Sequence, residues 1–310
     1  MVKEIADTVM VMKEGEVVEA GNCKNVLESP EHSYTKDLIA SRPKRKSGNQ
    51  IVETSRDTLI EVKKVGLEYI SKKNFFGKTL ETFHAVKSVS LRIKKGERVG
   101  LVGESGSGKS SLGKLMLGME ECTSGEVYWK DEKLAFNDVQ VLKKFKKGAQ
   151  PVFQDPFSAL NPRIKVGEAI QEAIDVGGGS QTVVELMKEV GLSESDTLKY
   201  PGAFSGGQRQ RIVLARALAI EPEFLVLDES VAALDLRIQA EILNLLSEIQ
   251  KTRELAFLFI SHDLSVIEAI CDRVLIMKEG EIVEEGSTEK IFNSAENSYT
   301  KQLLKSRPGA

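Results

Sequence analysis

The chain has 310 residues, enough for one large α/β domain or two smaller ones, and it needs no disulfide or metal staple to build a core. With 41% hydrophobic and 29% charged residues its composition is that of an ordinary globular protein, which excludes the disordered and fibrous classes. A formal net charge of -3 gives no electrostatic footprint for a polyanion, so nucleic acid is not expected as a partner.

The elements open with a repeat. Ile5-Ala-Asp-Thr-Val-Met-Val-Met-Lys-Glu-Gly-Glu-Val-Val-Glu19 returns as Ile270-Cys-Asp-Arg-Val-Leu-Ile-Met-Lys-Glu-Gly-Glu-Ile-Val-Glu284, and the match continues without a gap. Ser33-Tyr-Thr-Lys36 answers Ser298-Tyr-Thr-Lys301, and Ser41-Arg-Pro43 answers Ser306-Arg-Pro308. Each copy reads as a hairpin turning at Lys-Glu-Gly, a short helix, and a last helix starting near Ser-Tyr-Thr. Residues 44–57, opening with Lys-Arg-Lys-Ser-Gly, are polar and aperiodic, which predicts a linker. A new domain is expected over 58–310, beginning with strands at Leu59 to Val65 and at the alternating Phe83 to Ile93.

Arg98 to Val102 predicts a strand that runs into Gly103-Glu-Ser-Gly-Ser-Gly-Lys109-Ser110 and then a helix, the context of a phosphate-binding loop. Glycines turn backbone N–H groups inward as an anion nest and the helix N-terminus adds its positive end. Lys109 is expected to reach the β/γ-phosphates, and the Ser110 hydroxyl to ligate Mg²⁺. The basic run Lys143-Lys-Phe-Lys-Lys147 reads as a solvated helix face. Further on, Ser205-Gly-Gly-Gln208 predicts a capped helix N-terminus open enough to bind a second anion. Phe224-Leu-Val-Leu-Asp228-Glu229 is an apolar strand delivering two carboxylates, where ligands sit in open α/β sheets. Asp228 suits a Mg²⁺ shell and Glu229 the polarisation of a water attacking phosphate. Phe257-Leu-Phe-Ile260 is another run of the kind buried on both faces of a parallel sheet, with His262 just beyond it. His32 and His84 have no motif around them and are expected to be ordinary core or surface residues. Cys23, Cys122 and Cys271 lie far apart in no metal-ligand spacing, which suits a reducing compartment. No run approaches the roughly 20 apolar residues of a membrane span, so any membrane role is expected to come through a partner.

Phe204-Ser-Gly-Gly-Gln-Arg-Gln-Arg211, shortly before the Asp-Glu strand, resembles the signature motif of ABC ATPases, and the other motifs follow that family's order. The resemblance implies an α/β P-loop NTPase cassette with a RecA-like core, an antiparallel β subdomain and an α-helical signature subdomain. ATP is implied at Tyr69, which would stack on adenine, at Gly103, Glu104, Ser105, Gly106, Ser107, Gly108, Lys109, Ser110 and Ser111 of one subunit, and at Ser205, Gly206, Gly207, Gln208 and Asp235 of another. Mg²⁺ is implied at Ser110, Gln154 and Asp228, and catalysis at Glu229, His262 and Gln154, the last in a stretch that resembles the Q-loop. Ala232-Ala-Leu-Asp235 is similar to the D-loop, with Ala232 where serine is usual and Ser230 where proline usually follows the carboxylate pair.

The wording around Phe153-Gln-Asp-Pro-Phe-Ser-Ala-Leu-Asn-Pro-Arg163 and the closing Ser-Tyr-Thr-Lys resembles the oligopeptide/dipeptide importer branch, without the iron–sulfur cysteines some members carry. That branch implies a peripheral protein on the cytoplasmic face of the membrane, a second ATPase subunit in a homo- or heterodimer, two transmembrane permease subunits, and a solute-binding protein acting indirectly. A subunit of a phosphonate-degrading assembly and a soluble non-transport ABC ATPase are the alternatives. Residues 1–43 repeat the end of a cassette (269–308) with no phosphate loop before them. They are expected to be the remnant of an upstream cassette, with a regulatory pseudo-domain as the rival.

Overall fold

The computed structural model describes residues 5–40, 57–73, 79–153, 155–232 and 234–306. Alternating residues around a Glu14–Gly15 turn, both at positive φ, make the first hairpin from β1 (Thr8–Lys13) and β2 (Glu16–Asn22). Helices α1 (Cys23–Glu28), capped by Asn22, and α2 (Ser33–Ala40) complete that unit.

The main body starts with two long strands, β3 (Thr58–Lys73) and β4 (Thr79–Lys94). Here the structure extends the strand expected to end at Val65. The alternation that marks a half-buried strand breaks at Lys63-Lys64 because the ladder bulges there. Lys64 takes φ 48°, Ser88 on β4 takes φ 51° beside the Val65–Val89 pair, and the Lys64 N–H leaves the ladder for Ser90 Oγ at 2.8 Å. Pairing then resumes to Lys73.

There follow β5 (Arg98–Val102), α3 (Lys109–Met116), β6 (Ser124–Trp129), β7 (Glu132–Lys133), α4 (Val139–Gly148) and β8 (Ala149–Val152). The helices α5 (Pro156–Ala159), α6 (Val166–Gly177), α7 (Val183–Glu189) and α8 (Gly206–Leu218) form a helical stretch before β9 (Phe224–Asp228). The chain then runs through α9 (Leu236–Arg253), β10 (Ala256–Ile260), α10 (Leu264–Ile270), β11 (Arg273–Lys278), β12 (Glu281–Ser287), α11 (Thr288–Ser294) and α12 (Ser298–Lys305).

Three sheets result among the described residues. β1 and β2 stand as a pair; β4-β3-β6-β7 is antiparallel; β12-β11-β5-β10-β9-β8 is the main sheet, parallel except for the β11–β12 hairpin. The continuous apolar strands are buried on both faces, as their composition requires. Leu225, Leu227, Phe257 and Phe259 face a core with α6 to α10, while Val226, Leu258, Ile260 and Leu101 face a second core with α3 and the antiparallel sheet. β5 therefore lies inside the sheet between β10 and β11, and the turn after it opens at the sheet's carboxyl end.

Two ion pairs lock β11 into that sheet. Arg98, which begins β5, donates to both oxygens of Asp272 at 2.6 and 3.0 Å, and both side chains are almost wholly buried. Arg273 meets Glu97 at 2.7 Å. A buried pair of this kind fixes strand placement more than it adds net stability, because desolvation offsets most of the attraction.

Candidate functional site

The turn after β5 has the backbone an anion nest needs. Gly106 and Gly108 sit at φ 80° and 103°, a region in which side chains are strained, and Gly108 precedes α3 without a side-chain cap. A Cβ on Gly103 would stand 2.1 Å from the Met277 carbonyl oxygen, and one on Gly108 would stand 2.1 Å from that of Ala85. Gly103 is therefore required by packing, Gly106 by conformation and Gly108 by both. Ser105 and Gly106 are exposed at the tip, Ser107 is buried, and Ser111 is half-buried one turn into α3.

Lys109 is buried and folds back over the loop, donating to the carbonyls of Gly103 and Glu104, each at 2.8 Å. Burial pulls its pKa down, while the nearby Glu229, Asp228 and Glu104 carboxylates pull it up. The ammonium is thus held in a poorly solvated place facing two carboxylates. A polyanion entering the loop would give it a stronger partner.

Those carboxylates come from the end of β9. Asp228 pairs in register with Ile260 of β10, and burial raises its pKa, opposed by a hydrogen bond from the Ser110 side chain. One of its oxygens, Oδ1, is buried without any partner. A carboxylate oxygen left so beside a serine hydroxyl is a donor set suited to a hard divalent cation such as Mg²⁺. Ser230, two residues on, is also buried with its hydroxyl unpartnered.

Glu229 is turned away from the strand by a left-handed backbone, φ 48°, with its N–H tied to the Ile260 carbonyl at 2.9 Å. Its Oε1 lies 3.2 Å from His262 Nδ1, and both side chains reach solvent. Beyond His262, Asp263 caps α10. The structure therefore brings together the loop, Lys109, Ser110, Asp228, Glu229 and His262. Gln154 lies outside the described residues.

Tyr69 is exposed on β3, close enough to α3 for a side-chain hydrogen bond with Ser111, and its hydroxyl donates to Glu120 Oε2 at 2.5 Å. Its register partner on β4 is the exposed Phe83, so the strand edge presents two aromatic rings rather than one.

The second expected anion site is a separate construction. Ser205 caps α8 with a reciprocal box: its N–H donates to Gln208 Oε1 at 3.0 Å and Gln208 N–H donates to its Oγ at 3.3 Å. Gly206 faces open space beyond Leu234, 3.7 Å from where a Cβ would be, whereas a Cβ on Gly207 would lie 2.2 Å from Ile238 Cγ2 of α9. Gly207 thus has a packing reason in addition to the one read from the motif. Asp235 caps α9, accepting from the N–H groups of Arg237 and Ile238 at 3.1 and 3.0 Å.

Sequence reasoning missed the group that touches the loop from the far end of the chain. The Glu104 N–H donates to the Tyr299 hydroxyl at 3.2 Å, and Gly280 N–H donates to the Ser107 carbonyl at 2.9 Å. The repeated Ser-Tyr-Thr-Lys flagged that tyrosine as part of a unit, but nothing in its own neighbourhood points to a loop 195 positions away.

Residues 86–232 match the ABC transporter family, and residues 18–66 and 283–310 each match the family described as oligopeptide/dipeptide transporter, C-terminal region. The peptidoglycan transport ATP-binding protein YejF of Agrobacterium fabrum is 36% identical over 98% of this chain and 56% of its own length. The glutathione import ATP-binding protein GsiA of Escherichia coli K12 is 35% identical over 100% of this chain and 55% of its own. The chain thus spans about half the length of the curated relatives it matches. Among solved structures, cbiO1 of Clostridium perfringens, part of the ABC transporter complex cbiONQ, superposes with a TM-score of 0.64 at 26% identity, covering 77% of this chain and 92% of that one. The dimeric, post-hydrolysis cassette MJ0796 bound to ADP and Pi gives 0.64 at 29% identity, covering 74% and 99%.

Proposed function

This chain belongs to the ABC transporter family as an ATP-binding domain carrying the oligopeptide/dipeptide C-terminal region, and from that premise we propose that it hydrolyses ATP to energise an importer of oligopeptides or dipeptides. The observation that carries the reading is the convergence of Lys109, Ser110, Asp228 and the Glu229–His262 pair at the mouth of one phosphate loop. In this reading the loop amides and Lys109 bind the phosphates. Ser110 and Asp228, with Gln154, hold Mg²⁺, which would neutralise charge on the transferring phosphate. Glu229 orients and polarises the attacking water, and His262 steadies Glu229 and the γ-phosphate. Tyr69, with Phe83 beside it, offers a stacking surface for adenine.

The Ser205–Gln208 cap and Asp235 sit on a different part of the chain from the loop, which supports their acting on the nucleotide of a second subunit. The ADP-bound relative is itself dimeric. Two such subunits closing on ATP would move two permease subunits, with this chain peripheral on the cytoplasmic face of the membrane. No helix among the described residues is long and apolar enough to cross a membrane. The deciding experiment is Glu229→Gln. Its amide keeps the shape without the charge, so steady-state ATPase should fall by about 100-fold or more while ATP binding persists and an ATP-bound dimer accumulates on size exclusion. Turnover within twofold of the parent would remove Glu229 from the role.

We further propose that residues 1–43 are the closing remnant of a second, upstream cassette. The repeat supports this down to its irregularities, since both hairpins shift register at the same place, Val11/Met12 in one and Ile276/Met277 in the other. The surroundings differ. Leu275 and Met277 are fully buried beside β5, while their counterparts Met10 and Met12 are 70% and 58% exposed. Asp272 is locked to Arg98, whereas its counterpart Asp7 is exposed.

A further inference from the structure

We infer that Tyr299, on the last described helix, is a positioning residue for the phosphate loop, so that the C-terminal region sets the affinity of this chain for nucleotide. The inference rests on the nucleotide-site reading above and assigns to the closing unit a part in it.

The loop is gripped at both ends by residues that come after β10. Behind Gly103 lies the Met277 carbonyl of β11, close enough that a Cβ there would meet it. At the far side, Gly280 in the hairpin turn donates to Ser107 O at 2.9 Å and accepts from Lys87 N–H at 2.8 Å, bridging loop and β4. The third hold is the 3.2 Å bond from Glu104 N–H to the Tyr299 hydroxyl. Tyr299 is itself fixed: it is 9% exposed, packed in the larger core, and Lys278 Nζ stands 5.0 Å from its ring centre. Its hydroxyl is therefore presented by a rigid support.

The consequence follows from what Lys109 does at the same residue. Glu104 is held through both backbone groups, its N–H by Tyr299 and its carbonyl by the Lys109 ammonium at 2.8 Å and the Ser107 N–H at 3.2 Å. When phosphates draw that ammonium away, the Gly103 carbonyl loses it as a donor and the Glu104 carbonyl keeps only the longer 3.2 Å bond from the Ser107 N–H. Tyr299 and the Gly280 bridge are then the holds from outside the loop that keep it in its binding shape, beside its own Ser107–Glu104 turn bond. Without the hydroxyl, part of the binding energy must go into holding the loop, and the loss appears in affinity. The chemistry of hydrolysis, at Glu229 on another strand, is not touched.

Tyr299→Phe removes one oxygen and keeps the packed ring. One neutral hydrogen bond is worth about 0.5–1.5 kcal/mol, so KM for ATP should rise roughly 3- to 10-fold with kcat within about twofold. The melting temperature of the nucleotide-free protein should stay close to that of the parent, because the ring remains in the core. Tyr34→Phe is the internal control, since Tyr34 occupies the same place in the first copy, with Lys13 5.4 Å from its ring, and its hydroxyl has no hydrogen bond to the phosphate loop among the described residues. It should leave KM unchanged. An unchanged KM in Tyr299→Phe overturns the inference, as does a lowered melting temperature with KM intact, which would mean a structural role alone. Should that variant fail to fold, amide exchange in the parent decides the matter: the Glu104 N–H must be protected without nucleotide, and exchange at the rate of an open loop overturns the proposal. A parent that neither binds nor hydrolyses ATP would instead sink the reading of the site.

Discussion

Asp228 combines a buried, unpartnered oxygen with a pKa raised chiefly by burial, and the two facts have one cause: a charge brought to a strand end where water no longer solvates it. A carboxyl whose folded pKa lies above its unfolded value favours folding in its protonated form. That contribution is fully present below the unfolded pKa and is lost as pH rises through the folded one, so at neutral pH the group is a net cost. Asp228→Asn should therefore raise the melting temperature of the nucleotide-free protein at pH 7, with the gain shrinking as pH is lowered through the acid range. The same change should lower Mg²⁺-supported ATPase by about 100-fold or more, the scale of losing one preorganised charge from a reacting centre. Thermal melts across pH and a phosphate-release assay check the two halves. A variant less stable than the parent at pH 7 would show that the Asp228 carboxylate is satisfied by groups of the protein itself. This trade of stability for a charged site is the usual signature of function in a fold.

The helix pair α8 and α9 shows how one residue serves two purposes. The sequence marks Gly206 and Gly207 alike, as open positions at a helix start. In the fold only Gly206 is open; Gly207 is where α9 crosses, with Ile238 against it. Gly207→Ala should force Ile238 or the helix axis to move, costing about 1–3 kcal/mol of stability, while Gly206→Ala should cost far less. Chemical denaturation of the two variants separates them. Legibility in the sequence follows the same line. The phosphate loop, the capped signature and the Asp-Glu strand could be read because each is chemistry carried by neighbouring residues. The bulge that carries β3 to Lys73 was hidden because Lys63-Lys64 breaks the alternation, and only the partner strand, with Ser90 reaching the Lys64 N–H, shows that pairing resumes. Tyr299 was hidden for a stronger reason: its contact with Glu104 exists only once β11 has inserted next to β5.

At the scale of the whole molecule the two copies of the closing unit test each other. Each has the same turn, the same bulge, the same carboxylate receiving two backbone N–H groups, Glu19 from Glu31 and His32 and Glu284 from Glu296 and Asn297. Local sequence has therefore built both hairpins, which differ in their tertiary surroundings and in residues such as Thr8, where the second copy has the ion-paired Arg273. Because β5 of the main body is already paired with β11, and β11 with β12, a protein beginning at Thr58 should keep its melting temperature within a few degrees and its ATPase rate within about twofold. Unfolding or loss of half the activity would make the first copy an integral part of this domain. The exposed row of β1 has a chemical meaning as well. Met10 and Met12 offer their thioethers to water while Met277 offers none, so peroxide would write sulfoxide onto the first hairpin and spare the second. Each methionine thus carries a record of whether its side chain is covered, and a polar sulfoxide laid down on β1 would oppose the burial that β11 enjoys.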